Sequence, residues 1–226
     1  MTNTLHRYGR PEGFHDDFIV FIRSSKGRNE IGSVLKLKAF LKAALRYRPV
    51  TIAQGREGST VRPSRDLDPR VHWRRPVQDL TPEQVIEGVA DDRTVVAIFD
   101  GAEAMQAFLQ EIKAADWGLS VNVSGLTGAV HACAKRAGIV RHSVEYSLGF
   151  QGALDRLPER PVLELSTMCG HGMVSPNLTR KMLDWVREGR RTPEQAAAYL
   201  GRFCSCGVFN PARAVRLLEG ARSAKG

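Results

Sequence analysis

Long apolar runs are missing: none approaches the roughly 20 residues that a membrane helix needs. The opening Met1-Thr-Asn-Thr-Leu-His-Arg-Tyr-Gly-Arg10 lacks the apolar core of a secretion signal. The chain therefore reads as a soluble, cytoplasmic protein with no membrane partner. It has no dinucleotide fingerprint and no phosphate loop ending in lysine-serine. Internal repeats and low-complexity tracts are absent too. Aromatic residues make up only 7%, and no nucleic-acid reader motif is present. Both absences speak against a nucleic-acid partner. Cysteine is scarce, with four residues, which in a reducing compartment are expected to be thiols or ligands rather than disulfides.

What is present points to a folded protein. Hydrophobic residues form 42% and charged residues 25% of the chain, the balance of a globular protein. Its 226 residues suit one large domain or two small ones and need no disulfide to fold. The net charge of +9 is unevenly spread. Residues 1–90 carry 16 Lys/Arg against 10 Asp/Glu, residues 91–160 carry 7 against 9, and residues 161–226 carry 10 against 5. Such a surface suits an anionic partner.

Periodicity supplies the elements. Residues 18–24 form a β-branched and aromatic run, a buried strand, and Ser33 is placed to cap a helix over 34–46. Residues 49–76 are irregular, with short strands at 50–53 and 58–62 and a polar, proline-punctuated loop at 62–70. Thr81-Pro82-Glu83 has the cap, proline and acid of a helix start. Strands follow at 93–99, 119–123, 142–149 and 161–166. Helices follow at 102–115, 129–137, 176–188, 193–202 and 211–220. The expected class is α/β or α+β: a mixed sheet with flanking helices. A C-terminal helical segment, residues 167–226, is expected to pack on a domain of residues 1–166.

Three strand–loop–helix junctions are candidate sites, because ligands in sheet-and-helix folds gather where strands end and helices begin. Ser24-Ser-Lys-Gly-Arg28 offers cations and hydroxyls. Ser124-Gly125-Leu126-Thr127-Gly128 can cradle an anion on free amides. The third junction, Thr167–Ser175, contains Met168-Cys169-Gly170-His171-Gly172, with Ser175 as cap and Pro176 as first residue of the next helix. About 33 residues on comes Phe203-Cys204-Ser205-Cys206-Gly207. The helices at 176–188 and 193–202 pair as a hairpin across the turn 188–192, and a hairpin brings its two ends, and so the two cysteine loops, together. Cys133, in Val-His-Ala-Cys-Ala-Lys, fits a small buried apolar residue.

Three chemistries suit these loops. Thiolates are soft ligands, so Cys169, Cys204 and Cys206 can hold an iron–sulfur cluster with one iron open, or zinc. The spacing departs from the usual zinc-finger pair, and structural zinc wants four ligands. His171 is a fourth ligand or a general acid/base. A metal-free cysteine at a helix start can instead act as nucleophile or acid/base. Here Met168-Cys169-Gly170-His171-Gly172 resembles the catalytic cysteine loop of the proline racemase and hydroxyproline epimerase family. The resemblance covers about five residues and implies proton exchange by Cys169 opposite a second cysteine, for which Cys206 is the candidate. That family has a longer chain, two similar lobes and widely separated cysteines, and the rest of its second motif is missing here. Third, the cysteines are inert core residues. The expectation taken forward is a lyase-type enzyme, acting in elimination, hydration or carbon–sulfur chemistry. It has an iron–sulfur centre (zinc as the alternative, in a non-enzymatic binding protein) and a small anionic substrate held by Ser124, Gly125, Thr127, Gly128, Arg180 and Arg213.

Overall fold

Five strands and eight α-helices make up the computed structural model, which describes residues 3–54, 58–59, 80–91, 93–204 and 206–223. The polar loop at 62–70 and Ser205 lie outside the described residues. In chain order the elements are β1 (Phe18–Arg23), α1 (Val34–Leu45), β2 (Thr51–Gln54), β3 (Gly58–Ser59), α2 (Pro82–Glu87), β4 (Thr94–Phe99), α3 (Ala102–Ala115), β5 (Ser120–Ser124), α4 (Thr127–Arg136), α5 (Arg160–Ser166), α6 (Pro176–Arg187), α7 (Pro193–Gly201) and α8 (Pro211–Ser223).

The strands lie in the order β3-β2-β4-β1-β5. Every pairing among them is antiparallel, so the sheet is not the mixed one expected. The cause is topological. β1-α1-β2 skips a place that β4 fills, and β4-α3-β5 skips a place that β1 fills. Two split β-α-β units interleave, which sets every neighbour antiparallel.

Strand alternation gives the sheet two apolar faces. Phe18, Val20, Ile22, Ile52, Val95, Ala97 and Phe99 pack with α1 to α4. Ile19, Phe21, Ala53, Val96 and Ile98 pack with α5 to α8. The result is three layers, helices–sheet–helices, with both strand faces buried as the continuous apolar runs predicted. The C-terminal helices form the second layer.

Two expected strands are absent. Residues 161–166 lie in α5, which starts at Arg160-Pro161, so the apolar run Pro-Val-Leu-Glu-Leu is helical. Residues 142–149 alternate as a strand should, but no ladder forms: residues 142–145 line a groove shared with β5, and Tyr146 and Leu148 are exposed. Helix starts hold better. Thr81 and Thr192 each close a capping box, and Ser175 caps α6 with Pro176 behind it. Ser33 does not cap α1 with its side chain. Asp91 replaces it, accepting from the Val34 and Gly32 amides at 2.8 and 3.2 Å, bonds that hold its carboxyl below the usual range. Among the described residues, no helix is long and apolar enough to cross a membrane.

Candidate thiol centre

The hairpin folds back as the sequence predicts. α6 and α7 pack antiparallel across Glu188–Thr192, and their outer ends bring the two cysteine loops into one buried cluster. Cys169 and Cys204 are fully buried, and Cys206 is 5% exposed. The Cys204 and Cys206 sulfurs lie 3.9 Å apart, and the Cys206 sulfur lies 3.9 Å from the Cys169 carbonyl oxygen. Cys133 is buried in the opposite core, across the sheet, with its thiol toward the Ala102 carbonyl.

Glycine shapes both loops. Gly170 (φ 74°) and Gly172 (φ 68°) follow Cys169, and Gly207 (φ 70°) follows Cys206. These left-handed residues roll the chain over, so that later amides face back to the sulfur. The Cys169 sulfur accepts from the backbone N–H groups of His171 and Met173, and the Cys206 sulfur accepts from that of Val208. Amides aimed at sulfur stabilise a thiolate, free or metal-bound.

The three thiols share their protons unequally. Cys204 and Cys206 donate to Cys169, and with the two amides they bring its pKa down to about 2 despite burial. The hydrogen bond to Cys169 in turn raises Cys206 to about 11 and Cys204 well above the ordinary thiol value. The three sulfurs titrate as one coupled group, with Cys169 the sulfur whose ionisation is favoured and the other two held protonated by it. Linkage follows from these signs. Cys169 stays ionised in the fold where the unfolded thiol is protonated, so its contribution is full above about pH 9 and is lost as pH falls. Cys204 and Cys206 keep their protons in the fold when the unfolded thiols lose theirs, so their contribution is lost as pH rises above that value. In reduced, chelator-treated protein, stability against urea should rise between pH 6 and 8.5 and fall toward pH 11. Cys169→Ser should flatten the rise, and an unchanged slope in that variant would show that the thiolate is not there.

The other expected site residues lie elsewhere. The His171 side chain is exposed, outside the thiol cluster, and only its amide reaches Cys169. Arg180 forms a two-point pair with Glu159 at 3.1 Å and also binds Asn177. Arg213 is buried within the fold (1% exposed), stacked 3.8 Å over Phe14 and paired with Asp17 at 3.2 Å. Ser124, Gly125 and Thr127 line a groove of about 460 Å³ along the outer edge of β5. None of the three clustered cysteines borders it. Gly125 is required there because an added Cβ would meet Phe18 at 2.9 Å. Gly128 lies inside α4. Lys26 and Arg28, in the first junction, are exposed.

Sequence reasoning missed the polar network that braces the first cysteine loop. Asp17, fully buried, accepts from Arg7, from Arg213 and from Asn210 Nδ2 (2.9 Å). Arg7 also donates from Nε to the Met168 carbonyl at 3.1 Å, and the Tyr8 amide donates to Thr167 Oγ1 at 3.0 Å. Glu164, in α5 rather than on an edge strand, accepts from the Arg10 amide. Gly9 permits this crowding, since a Cβ there would run into the Arg213 guanidinium. The available signal was the Asp16-Asp17 pair directly before an apolar strand.

The donor set suits a soft metal in kind: three sulfurs with amides turned toward them. In spacing, Cys204 and Cys206 match one edge of a tetrahedron with metal–sulfur bonds of about 2.3 Å, which is about 3.8 Å long. Among the described residues, no group of three or more His, Cys, Asp or Glu forms a ready-made metal site. No family model, curated protein or solved structure matches the chain.

Proposed function

We propose that the chain is an enzyme whose centre is an iron–sulfur cluster ligated by Cys169, Cys204 and Cys206. One iron would be left without a protein ligand to act as a Lewis acid on a small anionic substrate in elimination, hydration or carbon–sulfur chemistry. The observation that carries the reading is the convergence of three buried thiols from two glycine-turned loops, with backbone amides directed at the sulfurs. An inert core has no use for that pattern of donors. Three thiols with no fourth ligand among the described residues suit an open cluster better than a closed structural zinc site. The Cys169 loop supplies the cover: Gly170 is buried, while His171, Gly172 and Met173 are exposed above it. Movement at the two left-handed glycines would admit substrate beside His171, whose imidazole is then placed to move a proton.

A second reading rests on the 3.9 Å separation of Cys204 and Cys206, which is closer to a single tetrahedral ion. In that case zinc stabilises the C-terminal layer of a binding protein. Purification without oxygen separates the two. A cluster gives brown protein absorbing broadly near ~400 nm, with acid-labile sulfide and about three to four irons per chain. Colourless protein holding one zinc would overturn the cluster. Protein that takes up neither metal yet loses activity on alkylation would point to metal-free thiol chemistry.

A further inference from the structure

Four of the ten Lys/Arg in the last 66 residues, Lys181, Arg190, Arg191 and Arg202, gather around the rings of the α6–α7 hairpin. Lys181 Nζ lies 4.9 Å from the centre of the Trp185 ring, and the Arg190 and Arg191 guanidinium carbons lie 5.0 and 5.2 Å from it. Arg191 also sits 5.7 Å from Tyr199, which Arg202 approaches from its other end at 5.8 Å. Tyr199 meets Phe203 edge to face. Cations and rings thus interleave in one stripe running from the hairpin turn to the residue before Cys204.

The stripe is short of counter-charge. Of its four cations, Arg190 has a described carboxylate partner, Glu188 at 3.3 Å, and the other three have none among the described residues. Packing does not force the cations together either. Lys181 and Arg190 are exposed, and the polar Gln195 shares a shallow depression with Trp185, Arg190 and Arg191. The negative end of α6 and the positive end of α7 meet at the turn and offset each other, so the side chains set the sign. Four like charges held within reach of two aromatic faces repel one another until an anion arrives. An anion that also carries flat aromatic groups meets both features.

We propose that this stripe binds single-stranded nucleic acid, with phosphates on Lys181, Arg190, Arg191 and Arg202 and bases stacked on Trp185 and Tyr199. A single strand alternates phosphate and base, and the stripe alternates cation and ring. A duplex buries its base faces, and an anionic lipid surface has no flat group to stack. The low aromatic content of the whole chain speaks against such a partner only on average, and Trp185 and Tyr199 stand together with the cations on one hairpin. The inference is independent of what the thiol centre holds.

The test is anisotropy of a labelled oligothymidine of about 12 nucleotides, titrated with full-length protein at ~50 to 200 mM salt. Saturable binding that weakens steeply with salt is expected. Arg190→Gln with Arg191→Gln should weaken it at least ~10-fold. Tyr199→Leu should weaken it about 5- to 100-fold, the range for losing one stacked base. Trp185 also packs on the core, so Trp185→Phe is the milder second variant, checked by thermal melting. Lys36→Ala with Lys42→Ala, on α1 across the sheet, should change nothing. A base-free polyphosphate of equal charge should compete poorly. The proposal fails if the oligonucleotide does not bind at ~50 mM salt. It fails equally if binding tracks charge alone, with Tyr199→Leu neutral and polyphosphate an equal competitor.

Discussion

Asp17→Ala should lower the folding stability by about 3–5 kcal/mol, the cost of stranding buried charge. Asp17 sits between Arg7 and Arg213, and all three side chains are at most 2% exposed. Burial already lowers the Arg213 pKa to about 10, with Asp17 the main opposing influence. Removing the carboxylate leaves two guanidinium groups facing each other in the core, neither able to shed its charge cheaply. Urea unfolding of the variant is the measurement. Asp17→Ala combined with Arg213→Met should recover part of the loss, since the apolar side chain can keep Phe14 covered and removes one stranded charge. A cost below about 1 kcal/mol for the single variant would mean that the network is surface-like and solvent-screened. The same variant probes the site, because Arg7 carries the Met168 carbonyl. Loosening Arg7 should loosen the Cys169 loop.

The second large effect belongs to the cysteines. Cys169→Ser should abolish metal uptake, because it removes one of the three proposed ligands and the sulfur to which the His171 and Met173 amides point. Cys204→Ser and Cys206→Ser should do the same. Cys133→Ser should leave metal content unchanged, because that thiol lies on the other side of the sheet. Metal analysis of anaerobically purified variants reads all four. Loss of metal in Cys133→Ser, or full retention in Cys169→Ser, would mean that the centre is misplaced. Gly170→Ala is a graded case. The left-handed φ would be strained in alanine and the loop amides would tilt away, so metal affinity should fall about 10- to 100-fold, as for other groups that orient ligands.

Much of this arrangement was legible in the sequence, for identifiable reasons. β1 and β4 are dense in β-branched residues, and α1 and α3 carry helical spacing, so one period dominates in each. The hairpin was marked by Ser175-Pro176 at the start of α6 and by the glycine-containing turn at 188–192 between the two helices. From that turn, the meeting of the cysteine loops followed. Residues 161–166 misled because a six-residue apolar run has no decisive period, and the proline at a helix start outweighed β-propensity. Residues 142–149 misled in the opposite way. Their alternation is real, but no ladder forms. Arg213 was taken for a substrate arm because its partners, Asp17 and Phe14, lie about 200 positions away, and no local pattern reports a partner at that distance.

That separation also sets an order of assembly. Asp17 reaches Arg213 across 196 residues, and the Arg7 bond to Met168 spans 161. During synthesis residues 7–17 emerge long before Met168 and Arg213, and their network is complete only once α8 has left the ribosome. Contacts that close the longest loops are the slowest to form. The thiol centre therefore takes its final shape as one of the last events of folding. Its sulfurs stay open to metals, chaperones and oxidants until residues 7–17 close on the Cys169 loop and α8.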